Sequence, residues 1–201
     1  MHNASGACED ITLGFEICSR PRNAAATRAA ILEAANARFM VESYDQVGMR
    51  DIARDVGVDP ALISRYFGCK EELFSSVIES CGDASALMAG DRATFGERVA
   101  DDVIYGQRNE FKLRWLLLML RSISSPKAQE VIQRQSQCTF MTPFTAWVGG
   151  DDAEIKARLA AGLIMGLTVS RDISGGFNLG PEQSQRLHRR LAATLQDFID
   201  N

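Results

Sequence analysis

Residues 49–67 read Met-Arg-Asp-Ile-Ala-Arg-Asp-Val-Gly-Val-Asp-Pro-Ala-Leu-Ile-Ser-Arg-Tyr-Phe, two short apolar helical patterns joined by a glycine. The apolar residues of the first pattern share one helix face: Ile52, Ala53 and Val56. Gly57 follows where a chain leaving a helix often needs a left-handed residue. The second pattern starts with Asp59 as a possible N-cap and Pro60 at the first helical position. This spacing predicts a helix-turn-helix.

The second helix of this pair divides into two faces. Its predicted inward face holds Leu62, Ile63, Tyr66 and Phe67. Its outward face holds small and hydrogen-bonding side chains, Ala61, Ser64 and Arg65, which could enter the major groove of DNA. Any helical hairpin could show part of this pattern, so the neighbouring segments are needed to support the helix-turn-helix prediction.

Lys70 opens a further amphipathic helix, in which Leu73, Phe74, Val77 and Ile78 are predicted to point inward. A cation at a helix N-terminus opposes the macrodipole, so an anion that the lysine contacts would explain it. A DNA phosphate is one such anion, and pairing with a nearby carboxylate is the alternative.

Upstream, the segment Thr27–Glu42 has the apolar spacing of a third helix. Its inward residues are predicted to be Ile31, Ala34, Ala35 and Phe39. Arg28 and Arg38 lie among the charged residues that we expect on the solvent side.

Taken together, residues 27–79 resemble the N-terminal DNA-binding domain of the tetracycline-repressor (TetR) family of bacterial transcription regulators. The matching stretches are Ile31-Leu32-Glu33-Ala34-Ala35, the Phe39–Tyr44 segment, Arg50-Asp51-Ile52-Ala53, Val56-Gly57-Val58 and Tyr66-Phe67-Gly68-Cys69-Lys70-Glu71-Glu72-Leu73. The resemblance implies an all-α fold. A three-helix helix-turn-helix domain (residues 24–81) would precede a helical ligand-binding and dimerisation domain (residues 82–201).

The resemblance also implies roles for particular residues. It places Arg50, Tyr66 and Lys70 at DNA phosphates, and it places Ala61, Leu62, Ser64 and Arg65 at bases or their sugar-phosphate edges. The family usually has an aromatic residue or histidine where Ser64 stands, and often a glycine and a threonine where Ala61 and Leu62 stand. We therefore expect Arg65 and Tyr66 to carry more of the docking here.

Positive charge is not concentrated in the DNA-binding half of the chain. The chain of 201 residues has a formal net charge of −4, and residues 20–79 hold eight basic and nine acidic side chains. Affinity for duplex DNA depends on neutralising phosphates. Binding must then depend on local geometry and dimerisation more than on a broad basic field.

The sequence shows no arrangement of residues typical of a catalytic or metal-binding site. The five cysteines are odd in number and show no C-x-x-C pairing, and the chain has only two histidines. Neither a disulfide framework nor a zinc site is indicated, and no nucleophile–base pair stands out. We expect no enzyme activity, no metal and no cofactor.

Residues 1–23 lack the basic start and apolar core of a secretory signal. We expect a flexible N-terminal arm, in which Arg20 and Arg22 could follow a DNA groove; a disordered tail or a start codon assigned too far upstream is the alternative. The apolar uncharged segment Leu159–Ser170 is too short to span a membrane. We expect a cytoplasmic protein.

Beyond residue 80 the sequence predicts five helices: Thr94–Tyr105, Glu110–Ile123, Pro126–Val148 with a kink at Pro143, Asp152–Ser174 and Pro181–Ile199. Aromatic and methionine side chains of the middle helices could line a cavity for a small apolar or aromatic ligand. The residues selected for this site are Trp115, Met119, Phe140, Phe144 and Trp147, although such residues are also ordinary core.

The last two predicted helices suggest a dimer interface. Gly162, Gly166 and Ser170 recur every four residues, a small-residue stripe that lets two helices approach closely, either within one chain or between two. Leu187, Leu191 and Leu195 add an apolar face on the final helix. Pairing these helices across a twofold axis gives a four-helix bundle. The function predicted is a homodimeric regulator, most simply a repressor that a small molecule releases from a palindromic operator; the alternative is a DNA-binding regulator controlled by a protein partner or without small-molecule input.

Overall fold

A computed structural model describes residues 24–81, 85–107 and 110–201, with side chains omitted for residues 110–113. This part of the chain contains α-helices and no β-strand, which confirms the all-α prediction. The helices are α1 (Ala24–Phe39), α2 (Met49–Val56), α3 (Pro60–Phe67), α4 (Lys70–Ser80), α5 (Ser85–Met88), α6 (Phe95–Ile104), α7 (Glu110–Ser122), α8 (Pro126–Ser136), α9 (Thr142–Val148), α10 (Ala153–Ser174) and α11 (Pro181–Asp200). None of these described helices is both long and apolar enough to cross a lipid bilayer.

Most predicted helices of the C-terminal part agree with the structure to within one residue at each end. The exception is the segment predicted as one kinked helix over Pro126–Val148. A π-helical turn at Gln137–Met141 separates α8 from α9, and Pro143 lies in the first turn of α9. The distortion therefore precedes the proline, because proline has no N–H to donate to the preceding turn and its ring crowds it.

The first helix begins and ends earlier than predicted. It runs from Ala24 to Phe39, while residues 40–43 form hydrogen-bonded turns. The short helix α5 and a 3₁₀ turn at Arg92–Thr94 were not predicted, because four and three residues are too few to show a helical repeat. The predicted arm at residues 1–23 lies outside the described residues.

One hydrophobic core joins helices α1–α4 to α7 and α8. Its aromatic centre is formed by Phe39, Tyr44 and Phe74, whose ring centroids lie 4.8–5.9 Å apart. Leu118 of α7 and Val131 of α8 are buried in the same cluster. The core therefore extends across the domain division that we predict at residues 81 and 82.

A second core lies among α6, α9, α10 and α11. Helices α6 and α11 approach closely at Gly96, where an added Cβ atom would lie 2.1 Å from the Ala192 carbonyl oxygen. Leu191 and Leu195 are 4% and 0% exposed within this core. The prediction that these two leucines form a dimer surface is therefore wrong: they face α6 of their own chain and leave no area for a partner.

The proposed ligand-binding residues are divided between the two cores. Trp115 packs against the first core, whereas Phe140, Phe144 and Trp147 stack on one another in the second. Phe144 is fully buried and contacts the rings of Phe140 and Trp147. The prediction that these residues line one common cavity is corrected accordingly, and Met119 is half-buried on α7.

Arg171 joins α10 to the C-terminal end of α6. Its Nη1 atom donates to the carbonyl oxygens of Asp102, Val103 and Gly106 at 3.0, 2.7 and 3.3 Å, and its Nε atom bonds Asp172 at 3.0 Å. Carbonyl groups at a helix C-terminus lack partners within the helix and carry partial negative charge. The buried guanidinium satisfies them and fixes α10 against α6.

Replacing Arg171 by methionine should lower the free energy of unfolding by about 3–5 kcal/mol, because it breaks a buried ion pair and removes the donor to three carbonyl groups at the end of α6. Urea denaturation measures this loss. Arg158→Met is the matched control, since Arg158 pairs with Glu154 at the surface and should cost less than about 1 kcal/mol. Equal losses for the two variants would contradict the role assigned to Arg171.

Candidate nucleic-acid interface

The turn between α2 and α3 has the geometry that the sequence predicts. Gly57 adopts φ 71° and ψ 37°, and its N–H donates back to the carbonyl groups of Ala53 and Arg54. Asp59 caps α3 by accepting a hydrogen bond from the Ala61 N–H at 2.7 Å, and Pro60 begins the helix. Buried Ala53 and Ile63 lie on the packed faces of the two helices. The angle of α3 is thus fixed by local chemistry.

Helix α3 presents a short polar face to solvent. Ala61, Ser64 and Arg65 are exposed, and Leu62 and Tyr66 are half-buried at its edges. Leu62 and Arg65 also line a shallow surface groove beside the Gly57 turn. The five side chains of α3 that we expect to contact DNA therefore form one continuous surface. That this surface contacts DNA remains a prediction.

Lys70 lies beside this face at the start of α4. Its Nζ atom stands 4.2 Å from the centroid of the Tyr44 ring, a cation–π contact. Burial lowers the pKa of Lys70, while the charges of Asp45 and Glu71 act in the opposite direction. The Tyr44 ring therefore positions the ammonium group of Lys70. The spacing of the sequence did not indicate this contact.

Two arginines on the predicted solvent side of α1 also contact the helix-turn-helix; Arg28 is exposed and Arg38 is half-buried. Arg38 donates hydrogen bonds to both carboxylate oxygens of Asp55 on α2, at 2.5 and 2.9 Å, and also forms an ion pair with Glu42. Asp55 raises the pKa of Arg38, and Arg38 lowers the pKa of Asp55. Arg28 lies 4.6 Å from the centroid of the Phe67 ring on α3. Helical periodicity places residues on a face but cannot show which charge on another helix they meet.

Arg50 is exposed in the first turn of α2, the position at which a phosphate contact was expected. Its neighbour Arg54 pairs with Asp51 at 3.0 Å and is largely solvated. Among the described residues, no group of three or more His, Cys, Asp and Glu side chains could hold a metal ion. The candidate interface therefore consists of α3, the N-terminus of α2 and Lys70.

A separate apolar surface runs along α10. An added Cβ atom at Gly162 or Gly166 would meet nothing within 4 Å, and Ser170 is exposed. Beside this stripe stand Ile155, Leu159, Met165 and Ile173, all exposed, with Ile173 at 69%. Among the described residues nothing packs against these two glycines, and a crossing between two chains at the stripe remains a prediction. Leu187 on α11 is half-buried.

Comparison with known protein families covers both parts of the chain. Residues 31–77 match the family described as bacterial regulatory proteins, tetR family, and residues 93–199 match the family described as tetracyclin repressor-like, C-terminal domain. The chain is 30% identical over 159 residues to the HTH-type transcriptional regulator BetI of Rhizobium meliloti (strain 1021), covering 73% of this chain and 78% of that protein.

Solved structures share the fold at lower identity. NalD of Pseudomonas aeruginosa, described as the secondary repressor of the MexAB-OprM multidrug efflux pump, matches with a TM-score of 0.62 at 22% identity, over 84% of this chain and 96% of that one. GusR of Salmonella enterica matches with a TM-score of 0.62 at 18% identity, over 88% and 96% of the two chains.

Replacing Gly57 by alanine should lower the free energy of unfolding by about 1–2 kcal/mol, because an L-residue strains the left-handed backbone. The cost is conformational, since an added Cβ atom meets nothing within 4 Å. Gly57→Asn is the matched variant and should cost less, because asparagine tolerates this conformation. Denaturant unfolding measures both. An alanine variant as stable as wild type would contradict the turn geometry.

Proposed function

The chain belongs to the tetracycline-repressor family of bacterial transcription regulators, and on that basis we propose that it acts as a homodimer that binds a palindromic operator and represses transcription until a small molecule releases it. Membership confirms that it is a DNA-binding regulator and not an enzyme. The observation that carries the proposal is the exposed polar face of α3, set at a fixed angle by the Gly57 turn.

DNA contact is proposed to divide between two kinds of group. Arg65 and Ser64 stand where base edges would be read, because their side chains project from the exposed face of α3. Arg50, Tyr66 and Lys70 flank that face and would contact phosphates. Lys70 is suited to this task because the Tyr44 ring holds its ammonium group at the surface of the first core.

Dimerisation is proposed to use the exposed stripe of α10. A recognition helix of eight residues reads too few bases alone, and two such helices must stand about 34–36 Å apart to meet successive major grooves. Gly162, Gly166 and Ser170 allow two copies of α10 to cross closely, with exposed Ile155 and Ile173 adding apolar area. Burying such side chains is the main favourable term in most protein association.

Control by a ligand requires a mechanical link between the C-terminal helices and the reading helix. Arg121 of α7 donates to the Val41 carbonyl oxygen at 2.7 Å, and Ser125 donates to the Asp45 carboxylate at 2.9 Å. Farther along, Gln135 of α8 accepts a hydrogen bond from Ser75 of α4 at 2.8 Å. These bonds support transmission of a shift in α7 or α8 to the DNA-binding helices.

The alternative is a DNA-binding regulator that answers to a protein partner or to no effector. Thermal-shift screening of small molecules separates the two, since a ligand that binds only the folded protein raises its melting temperature. A compound that both raises this temperature and weakens operator binding supports ligand control.

Replacing Arg65 by alanine should weaken binding to a duplex selected from a random pool by the wild-type protein, by about 1–3 kcal/mol, and should relax base preference. Lys70→Ala should weaken binding to all sequences and reduce the slope of log affinity against log salt by about 1. Tyr66→Ala should also weaken binding. Fluorescence anisotropy at several salt concentrations measures these effects. Arg134→Ala on α8 is the control and should bind normally; if all three variants match it, α3 is not the reading helix.

Replacing Gly166 by leucine should dissociate the dimer, because the side chain occupies the space in which two copies of α10 are proposed to cross. Sedimentation velocity should show a monomer, and a gel shift should show weakened operator binding with the reading helix unaltered. Ala146→Leu, at an exposed position of α9, should remain dimeric. A folded Gly166→Leu dimer with normal DNA affinity would move the interface elsewhere, first to the outer face of α11.

A further inference from the structure

Lys70 lies near two acidic side chains and forms an ion pair with neither of them. Its Nζ atom stands 4.2 Å from the centroid of the Tyr44 ring. Burial lowers the pKa of Lys70, and the charges of Asp45 and Glu71 act in the opposite direction, so both carboxylates are close enough to attract its ammonium group. Among the described residues, no ion pair joins Lys70 to a carboxylate. Something therefore holds these two carboxylates elsewhere.

Asp45 is held by the residue that begins α8. The hydroxyl group of Ser125 donates a hydrogen bond to Oδ1 of Asp45 at 2.9 Å. Ser125 is the N-cap of α8 and is 1% exposed, so its hydroxyl group depends on a protein acceptor. The N-terminus of α8 also carries partial positive charge, which favours a carboxylate beside it. Two effects thus hold the Asp45 carboxylate at α8.

Glu71 contacts the same turn of α8. Lys127 lies two residues after Ser125, and its Nζ atom stands 3.7 Å from Oε1 of Glu71. The Lys127 side chain is 74% exposed, so water and salt weaken this pair more than they weaken the bond from buried Ser125. Both carboxylates that attract Lys70 are nevertheless engaged by the first turn of α8.

Release of either carboxylate would create a competitor for DNA. An ion pair between Lys70 and a carboxylate must break before its ammonium group can contact a phosphate. The stability of an exposed ion pair corresponds to a loss of affinity of about two- to fivefold. Contacts that keep the carboxylates at α8 therefore favour DNA binding without touching DNA.

We propose that Ser125 and Lys127 are positioning residues for DNA binding, which hold the carboxylates of Asp45 and Glu71 away from Lys70 and keep its ammonium group available to a phosphate. The inference rests on the proposed phosphate contact of Lys70 and names the part of the C-terminal helices that governs it. A displacement of α8 from α4 would release both carboxylates to Lys70 and lower DNA affinity, even with the recognition helix unaltered.

The first test measures binding of full-length Ser125→Gly to the selected duplex by fluorescence anisotropy at several salt concentrations. Glycine removes the hydroxyl group and is itself an accepted N-cap, so α8 keeps its start. Affinity should fall about two- to fivefold. The slope of log affinity against log salt should become less steep, because salt weakens the competing ion pair as well as the phosphate contact.

A double-mutant cycle separates this role from a structural one. Asp45→Asn removes the charge that Ser125 holds, so adding Ser125→Gly to Asp45→Asn should leave the affinity and the salt slope unchanged. A loss caused by altered packing of α8 would persist in both backgrounds. Thermal unfolding monitored by circular dichroism verifies that each variant is folded.

A second cycle tests the other ion pair at an exposed position, where the substitution is unlikely to disturb the fold. Lys127→Met should weaken DNA binding, and the loss should disappear when Glu71→Gln is also present. A loss that persists would mean that Lys127 attracts DNA directly. Arg134→Met removes a positive charge from the last turn of α8 and should bind as wild type does.

Unchanged binding by Ser125→Gly and Lys127→Met, or losses that persist in Asp45→Asn and Glu71→Gln, would overturn the inference and leave Lys70 as a proposed phosphate contact. If Ser125→Gly does not fold, the Lys127 cycle decides alone. Lys70→Ala distinguishes this failure from that of the proposed function. If Lys70→Ala binds as wild type does, the proposed phosphate contact fails, and the inference that rests on it fails too.

Discussion

Helix α4 is the element on which both halves of the molecule depend. Leu73, Phe74, Val77 and Ile78 are all buried, some against α1 and the aromatic pair of Phe39 and Tyr44, others toward α8. Two faces of one helix are thus covered by helices from different parts of the chain. The fourth helix of the DNA-binding domain is thus packed into the core that α7 and α8 complete.

The sequence predicts most of the fold and the exposed polar face of α3 because both follow from local rules. The glycine at 57, the cap at Asp59 and the proline at 60 each specify backbone geometry at their own position. The outward set Ala61, Ser64 and Arg65 follows from the helical repeat alone. These features need no knowledge of what lies across the core.

The errors come from contacts between distant segments. Leu191 and Leu195 have the spacing of any apolar helix face, and only the close approach of α6 at Gly96 shows which surface they cover. Trp115 and Phe144 are aromatic residues of the kind that often line ligand sites, yet they belong to different cores.

The open stripe at Gly162 and Gly166 bears on which chains can pair. In the proposed dimer, the absence of side chains lets two backbones meet, so a related regulator with a larger residue at either position would be held away and would lose contact area along the whole helix. The flanking apolar residues favour the pairing of two identical chains, and the glycines disfavour pairing with a chain that has larger residues at these positions. A cell that holds several regulators of this family could then keep their circuits separate, because mixed dimers with mismatched reading heads would not form.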